Sequence, residues 1–594
     1  MISESAAGFA AYLGAVFLPG LGLGEFLGLW RANNDMGQRV ALAFGLGLVA
    51  DTVVLAIKTR GLGFLGTVAR RIDPITVFSL LVAGLGLLLV SMVSRRKFVF
   101  LKRPTMNDLS LLIIVVMTAL MVVLYLQKFP IFPEFQSGDY SQHVIYVEKL
   151  LDGTRLSGFG GLLYFGVEYQ LAMADAVVGG QALVTIRQAM AILVILSPLL
   201  VYLVSSELFR NRWAALASTA VYSISGTVWF ISVFDSGLYA NFFGVLISFF
   251  FITAFSMLVS SKRRVLWIVF LLALFAAYFS HYSTLTVMPS LLVLVLVQYK
   301  RSRSEVMTYF YPAAISIAPV LVGAVAYPTL AGTLLGYVSN AGGTISGSTS
   351  VSNLLSFDPV LRYMAVEALN DWGFVLLLAL GVCYTYACLK SKNTLLLIFP
   401  LWFLSLVLFA PLNIGAWRYS YEALVPLILM SGFGIYAVVR YLFARKVPAA
   451  RVLKPVLVAL LLATIFYGSW GQNVVVGSLS NPGVSATQQQ DVYNAIYWLK
   501  NNTPVNSTYL SVTDWRLTYT NLLIGRPTFY KYYSDQNQTM DYAKTIGAEY
   551  VLITRQVTLP VPPLQAYFPW YSFQNESGFT QIYSNGDVKV YQVA

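Results

Sequence analysis

Long apolar stretches separated by short polar ones recur along the chain from Ala7 to Trp470. Crossing the hydrocarbon core of a bilayer takes about 20 apolar residues, and about thirteen or fourteen stretches meet that length. After Trp470 the pattern changes to polar, Tyr- and Asn-rich sequence with turn signals. There the periodicity predicts an amphipathic helix over Asp491–Lys500, a strand over Ser507–Val512, a helix over Met540–Ile546 and a strand over Glu549–Thr554. A hairpin over Thr580–Val593, turning at Asn585-Gly586, completes it. The expected fold is mainly α, a polytopic membrane helix bundle with a small C-terminal α/β domain. The implied domains are residues 1–104 as N-terminal transmembrane helices, 105–470 as the main transmembrane domain, and 471–594 as the soluble domain.

Charge then assigns the faces. Basic residues cluster in short loops at Arg95-Arg96-Lys97, Arg210 with Arg212, Lys262-Arg263-Arg264, Lys300-Arg301, Lys390 with Lys392, and Arg440 to Lys454. By the positive-inside rule these loops are cytoplasmic. The alternate loops face outward: residues 128–187, the turns at Asp235 and His281, residues 328–371, the Arg418 loop, and everything after Trp470. The C-terminal domain is thus expected to be extracytoplasmic. Residues 162–184 are long enough to span, but a crossing there would put Arg210 and Arg212 outside. That stretch also holds Glu168 and Asp175, and a carboxylate at the bilayer centre costs roughly 2.5 to 3.5 kcal/mol. Helices lying on the outer surface are expected there instead. Alternation of the first three spans, near 7–29, 38–57 and 74–94, places the basic loop Lys58–Arg71 outside, against the same rule.

Composition excludes a soluble core: 57% of residues are hydrophobic, 11% are charged and the mean hydropathy is +0.69. Soluble domains carry about 25% charged residues. The net charge is +13, yet from Asp491 onward seven basic residues balance seven acidic ones, so the excess belongs to the membrane part. It is topological and not a nucleic-acid footprint. Cys383 and Cys388 lie in one apolar span and are expected to pack, not to bridge. The N-terminus lacks a basic region ahead of its apolar stretch, so no cleavable signal peptide is expected. All the N-x-Ser/Thr triplets, at Asn501, Asn506, Asn537 and Asn575, fall in the C-terminal domain, which suits an exterior location. The Gly/Ser-rich segment Ser339–Ser352 is either a linker or a lid over a site.

The candidate chemistry lies on the outer face. Only two histidines occur, and His143 stands four residues after Asp139 in a polar stretch following the apolar run Leu109–Leu126. Asp235, His281, and Arg418 with Glu422 occupy later outer turns. Ionisable residues at membrane depth are expensive and commonly functional. Each also has a structural alternative: Asp139 as a helix N-cap, His143 and His281 as packed polar groups, Asp235 as a cap, and Arg418 as an interfacial anchor. Asp139, with His143, is a candidate general base toward an acceptor. Asp139 and Asp235 are candidate oxygen ligands for a divalent cation, Mg or Mn. Arg418, with its forked donors, and His281 are candidates for binding a donor phosphate. Together these groups fit transfer from a phosphate-linked lipid donor. No P-loop and no H-E-x-x-H motif competes.

With those residues placed, the chain resembles the glycosyltransferase-C superfamily, which includes oligosaccharyltransferases, protein mannosyltransferases and aminoarabinose transferases. If Leu109–Leu126 is the family's first helix, Asp139 matches its first acidic motif and Asp235 its second. Trp498-Leu499-Lys500-Asn501-Asn502-Thr503-Pro504 is similar to the W-L-x-x-N-T-P segment of archaeal oligosaccharyltransferases. That segment leads there to W-W-D-Y-G, whereas Val512-Thr513-Asp514-Trp515-Arg516 lacks the double Trp and the Tyr-Gly. The resemblance covers roughly residues 105–594, with the first three spans as an addition. It implies a multi-pass enzyme of the cell membrane moving a sugar from a polyprenyl-phosphate donor to an acceptor on the outer face. The alternatives are an inactive relative serving as a scaffold and a transporter. Against transport, the charged residues gather on one face instead of at mid-membrane.

Overall fold

The computed structural model describes residues 2–30, 34–60, 71–95, 103–128, 138–153, 165–179, 182–225, 233, 237–326, 370–409, 416–442, 456–465, 486–504, 506–512, 528–530, 536–554, 557–558, 566–567, 578–586 and 588–593. The chain divides into two compact units, one of residues 1–122, 147–230 and 239–475, the other of residues 123–146, 231–238 and 476–594.

The first unit is helical. It opens with α1 (Ile2–Phe26), α2 (Met36–Arg60), α3 (Pro74–Arg95) and most of α4 (Met106–Lys128), and takes up the chain again in the last turns of α5 (Gly138–Asp152). Then come α6 (Gly166–Val178), α7 (Ala182–Phe209), α8 (Arg212–Ile224), α9 (Tyr239–Ser261), α10 (Leu266–Ser280), α11 (Val287–Arg301) and α12 (Val306–Ala326). Three more helices follow, α13 (Asn370–Lys390), α14 (Ile398–Phe409) and α15 (Ala416–Leu442). Among the described residues eight helices are long and apolar enough to cross a bilayer, and shorter apolar helices add Leu266–Ser280, Thr394–Leu408 and Val456–Ile465. The protein is a multi-pass membrane protein whose bundle centres on α9. That helix is apolar on every side and wholly buried against α2, α6, α7 and α10.

Local sequence starts the helices where it should. Asp35 accepts from the Gln38 N–H at 2.8 Å while the Gln38 side chain accepts from the Asp35 N–H at 3.1 Å, a reciprocal cap that begins α2. Thr105 and Asp108 begin α4 in the same way. Glycines then bring the first helices together. A Cβ on Gly47 of α2 would lie 1.6 Å from the Val16 carbonyl, and one on Gly20 of α1 would lie 1.8 Å from the Ala43 carbonyl. Small residues at such crossings permit the backbone contact that drives helix association in lipid.

These contacts give the first spans their direction. At one end of the α1/α2 pair, Asp35 accepts from the Tyr202 hydroxyl at 2.6 Å and pairs with Arg212 at 3.5 Å, and Arg263 donates to the Gly28 carbonyl at 3.0 Å. That end therefore meets the basic loops. Beyond the other end, Ile72 donates its N–H to the Leu150 carbonyl of α5 at 3.0 Å. Lys58, in the last turn of α2, thus stands at the end of that helix opposite to the one that meets Arg212 and Arg263.

The part of residues 162–184 that forms α6 packs against α1, α2, α3, α7, α9 and α10, and Gly166 through Asp175 are all buried. Gly179, at φ +63°, ends the helix by donating its N–H to the Asp175 carbonyl at 3.0 Å.

The second unit carries a five-stranded sheet in the order β2-β1-β3-β7-β6, built from β1 (Tyr509–Val512), β2 (Thr528–Tyr530), β3 (Tyr550–Thr554), β6 (Phe579–Asn585) and β7 (Val588–Val593). Here β1 runs parallel to β2 and β3, and β7 antiparallel to β3 and β6. Two short strands, β4 (Val557–Thr558) and β5 (Ala566–Tyr567), pair separately. Leu510, Val512, Val551, Ile553 and Tyr591 form a core with Met540 and Ala543 from the helix Gln536–Thr545. Residues one step along each strand, Tyr509 and Tyr550, stack on the other face at 5.3 Å. There the helix Ala486–Asn502 packs on β6 and β7.

Candidate functional site

Asp139 stands in the first turn of α5, where an acid is favoured by the helix dipole, so it lies inside the helix and not at its cap. Its side chain is outside the described residues. His143, one turn on, is buried at 7% exposure. Asp235 lies outside the described residues, but its neighbours Val233, Gly237 and Leu238 are buried and belong to the same compact unit as Asp139 and His143.

The other candidates belong to the first unit. His281 is buried where α10 stops, its backbone extended and its carbonyl accepting from both the N–H and the hydroxyl of Thr284, at 3.1 and 2.6 Å. Directly before it, Ser280 meets the start of α6: a Cβ on Gly166 would lie 2.8 Å from the Ser280 Cα and 3.0 Å from the Phe243 ring of α9. Arg418 stands in the first turn of α15, its side chain outside the described residues. Four residues later on the same helix face, Glu422 accepts from the Asn241 side-chain amide of α9 at 2.5 Å, with both residues buried. The ends of α6, α9, α10 and α15 therefore meet around Gly166, Asn241, Ser280 and Glu422.

Asn241 and the polar residues of α6 had escaped the sequence reading as parts of a site. Asn241 stands near the start of a helix otherwise rich in Phe, which is the signal the sequence offers. Within α6, Glu168, Gln170 and Asp175 are all buried, and neither amide atom of Gln170 has a hydrogen-bond partner among the described residues. Burial pushes the Asp175 carboxyl up to about 6, with nearby Glu148 adding to the rise and a hydrogen bond from Thr185 opposing it. Among the described residues no three of His, Cys, Asp and Glu come together as a metal site.

No family model and no curated protein sequence matches the chain. Among solved structures, the apo oligosaccharyltransferase of Archaeoglobus fulgidus is similar at a TM-score of 0.52, over 75% of this chain and 69% of that one, with 12% identity. The chain shares the fold of that protein. Looser likenesses have TM-scores of 0.48. One is to the Archaeoglobus fulgidus oligosaccharyltransferase AglB with an inhibitory peptide and a dolichol-phosphate, at 12% identity over 75% of this chain and 69% of that one. The other is to ArnT of Cupriavidus metallidurans bound to undecaprenyl phosphate, at 11% identity over 81% of this chain and 97% of that one. Along the chain, α5 carries Asp139 and His143, and Asp235 falls in the sequence between α8 and α9.

Proposed function

We propose that the chain is a membrane glycosyltransferase moving a sugar from a polyprenyl-phosphate-linked donor to an acceptor on the outer face. The observation that carries this reading is the grouping of residues 123–146, which hold Asp139 and His143, with residues 231–238 and the C-terminal domain in one compact unit of a glycosyltransferase-C fold. In the proposed reaction Asp139 takes the proton of the acceptor nucleophile, aided by His143. The acceptor attacks the anomeric carbon, the bond from that carbon to the phosphate oxygen breaks, and the lipid phosphate leaves with the electron pair. Arg418 binds that phosphate through its forked donors, with His281 as a second donor. The C-terminal domain lies outside the cell in this reading, beside the acceptor. No described cluster fits a Mg or Mn ion, so no step passes through one; a cation at Asp139 and Asp235 would show as activity lost on chelation and restored by the metal.

Asp139→Asn keeps the side-chain size while removing basicity. It is expected to give a stable protein in which sugar transfer from a lipid donor falls roughly 10² to 10⁴-fold. Wild-type transfer by this variant would remove Asp139 from catalysis. Absence of transfer by the wild-type chain across donors would favour the scaffold reading.

A further inference from the structure

The triplets at Asn501, Asn506, Asn537 and Asn575 all fall in the C-terminal domain, while none of the asparagines before Asn501 begins one. A glycosylation acceptor needs more than the triplet; its asparagine must stand on a surface loop where bulky sugar meets solvent. Asn501 is within the last turn of its helix, and the hydroxyl of its triplet, Thr503, is engaged by the Leu499 carbonyl and the Tyr509 hydroxyl. Asn537 lies in the first turn of the helix Gln536–Thr545, with Thr539 of its triplet fully buried. Asn575 lies outside the described residues.

Asn506 differs from these. It is exposed, and it sits in a turn closed by the Ser507 N–H donating to the Pro504 carbonyl at 3.3 Å. Thr508, which completes its triplet, is half-exposed and fixed at the head of β1, its carbonyl accepting from the Glu549 and Tyr550 N–H groups. An Asn at such a turn has a structural use of its own, since its side chain tolerates turn geometry. That use does not call for a hydroxyl residue two positions later.

We propose that Asn506 is an N-linked glycan attachment site, the sugar coming from a polyprenyl-phosphate- or pyrophosphate-linked glycan. The side-chain amide nitrogen of Asn506 forms a bond to the anomeric carbon. The bond from that carbon to the donor's phosphate oxygen breaks, the lipid phosphate leaves with the electron pair, and the amide proton passes to a base of the transferase. The inference rests on the outward location of the C-terminal domain but not on this chain's own catalysis.

The test expresses the full chain in cell membranes that contain a lipid-linked glycan and an oligosaccharide transferase. Mass spectrometry then reads the tryptic peptide Asn501–Arg516. The expected result is a mass increase by whole sugar units that Asn506→Gln and Thr508→Ala both abolish and Asn501→Gln leaves in place. Thr508→Ala keeps the asparagine and its turn, so a folding defect in one variant does not decide the outcome. Protease added to sealed vesicles of known sidedness reports the location of the domain in parallel. An unmodified peptide on an outward domain overturns the attachment site alone, as does sugar on Asn501. An unmodified peptide on an inward domain overturns the outward location as well.

Discussion

The side-chain amide of Asn241 donates to Glu422 across α9 and α15 at 2.5 Å, inside the bundle and one helical turn from Arg418. Losing a buried hydrogen bond of this kind costs about 1 to 3 kcal/mol. Asn241→Leu is therefore expected to lower the thermal stability of the detergent-solubilised protein by that amount. Glu422→Gln, which keeps an acceptor, should cost less, and a double-mutant cycle should give a coupling of roughly 0.5 to 3 kcal/mol. Additive effects of the two changes would show that the contact does not hold α9 against α15.

The α1/α2 crossing makes a second prediction. Because a Cβ on Gly47 would fall 1.6 Å from the Val16 carbonyl, Gly47→Ala cannot be relieved by turning a side chain. Overpacking of this kind costs about 1 to 3 kcal/mol. Gly86, which has nothing within 4 Å of its added Cβ, supplies the control. Gly86→Ala should leave the melting temperature near that of the wild type while Gly47→Ala lowers it.

Asp175 predicts a pH dependence whose sign differs from that of a salt-bridged acid. Its carboxyl rises from 3.8 to about 6 on folding, chiefly through burial, so between those values the folded state holds more protons than the unfolded one. The stabilising contribution is complete below about pH 4 and is lost as the pH climbs through about 6, by roughly 3 kcal/mol at most. Unfolding followed from pH 4 to 7 should show this decline in the wild type and a flatter profile in Asp175→Asn. An unchanged slope in the variant would assign the dependence to another group.

Where one periodicity dominated, the sequence was enough. The hairpin turning at Asn585-Gly586 appears as β6 and β7 with Asn585 opposite Val588, and the helix and strand at Met540 and Glu549 are where alternation and turn signals put them. Strand β2, of only three residues, left no such pattern. The packing of α6 was hidden for a different reason. Burial among six helices is a tertiary property that no local period encodes. For the site, sequence found His143, His281, Arg418 and Glu422 as polar exceptions in apolar surroundings. It could not find the pairing of Asn241 with Glu422, which joins residues far apart along the chain.

The last prediction concerns the donor. Arg418 opens α15 ahead of the buried Glu422, so the helix holding it is anchored even when its own side chain is removed. Loss of a hydrogen-bond partner for a charged group costs roughly 1.5 to 3 kcal/mol, which corresponds to about tenfold to a hundredfold in binding. Arg418→Ala should weaken binding of a polyprenyl phosphate by that factor without lowering the melting temperature. Arg418→Lys restores the charge but not the forked geometry and should recover only part of the affinity. A snorkelling anchor would behave otherwise, since Lys serves that purpose as well as Arg. Equal donor affinity in the wild type and both variants would make Arg418 an interfacial anchor and move the phosphate site elsewhere, with His281 the next residue to replace.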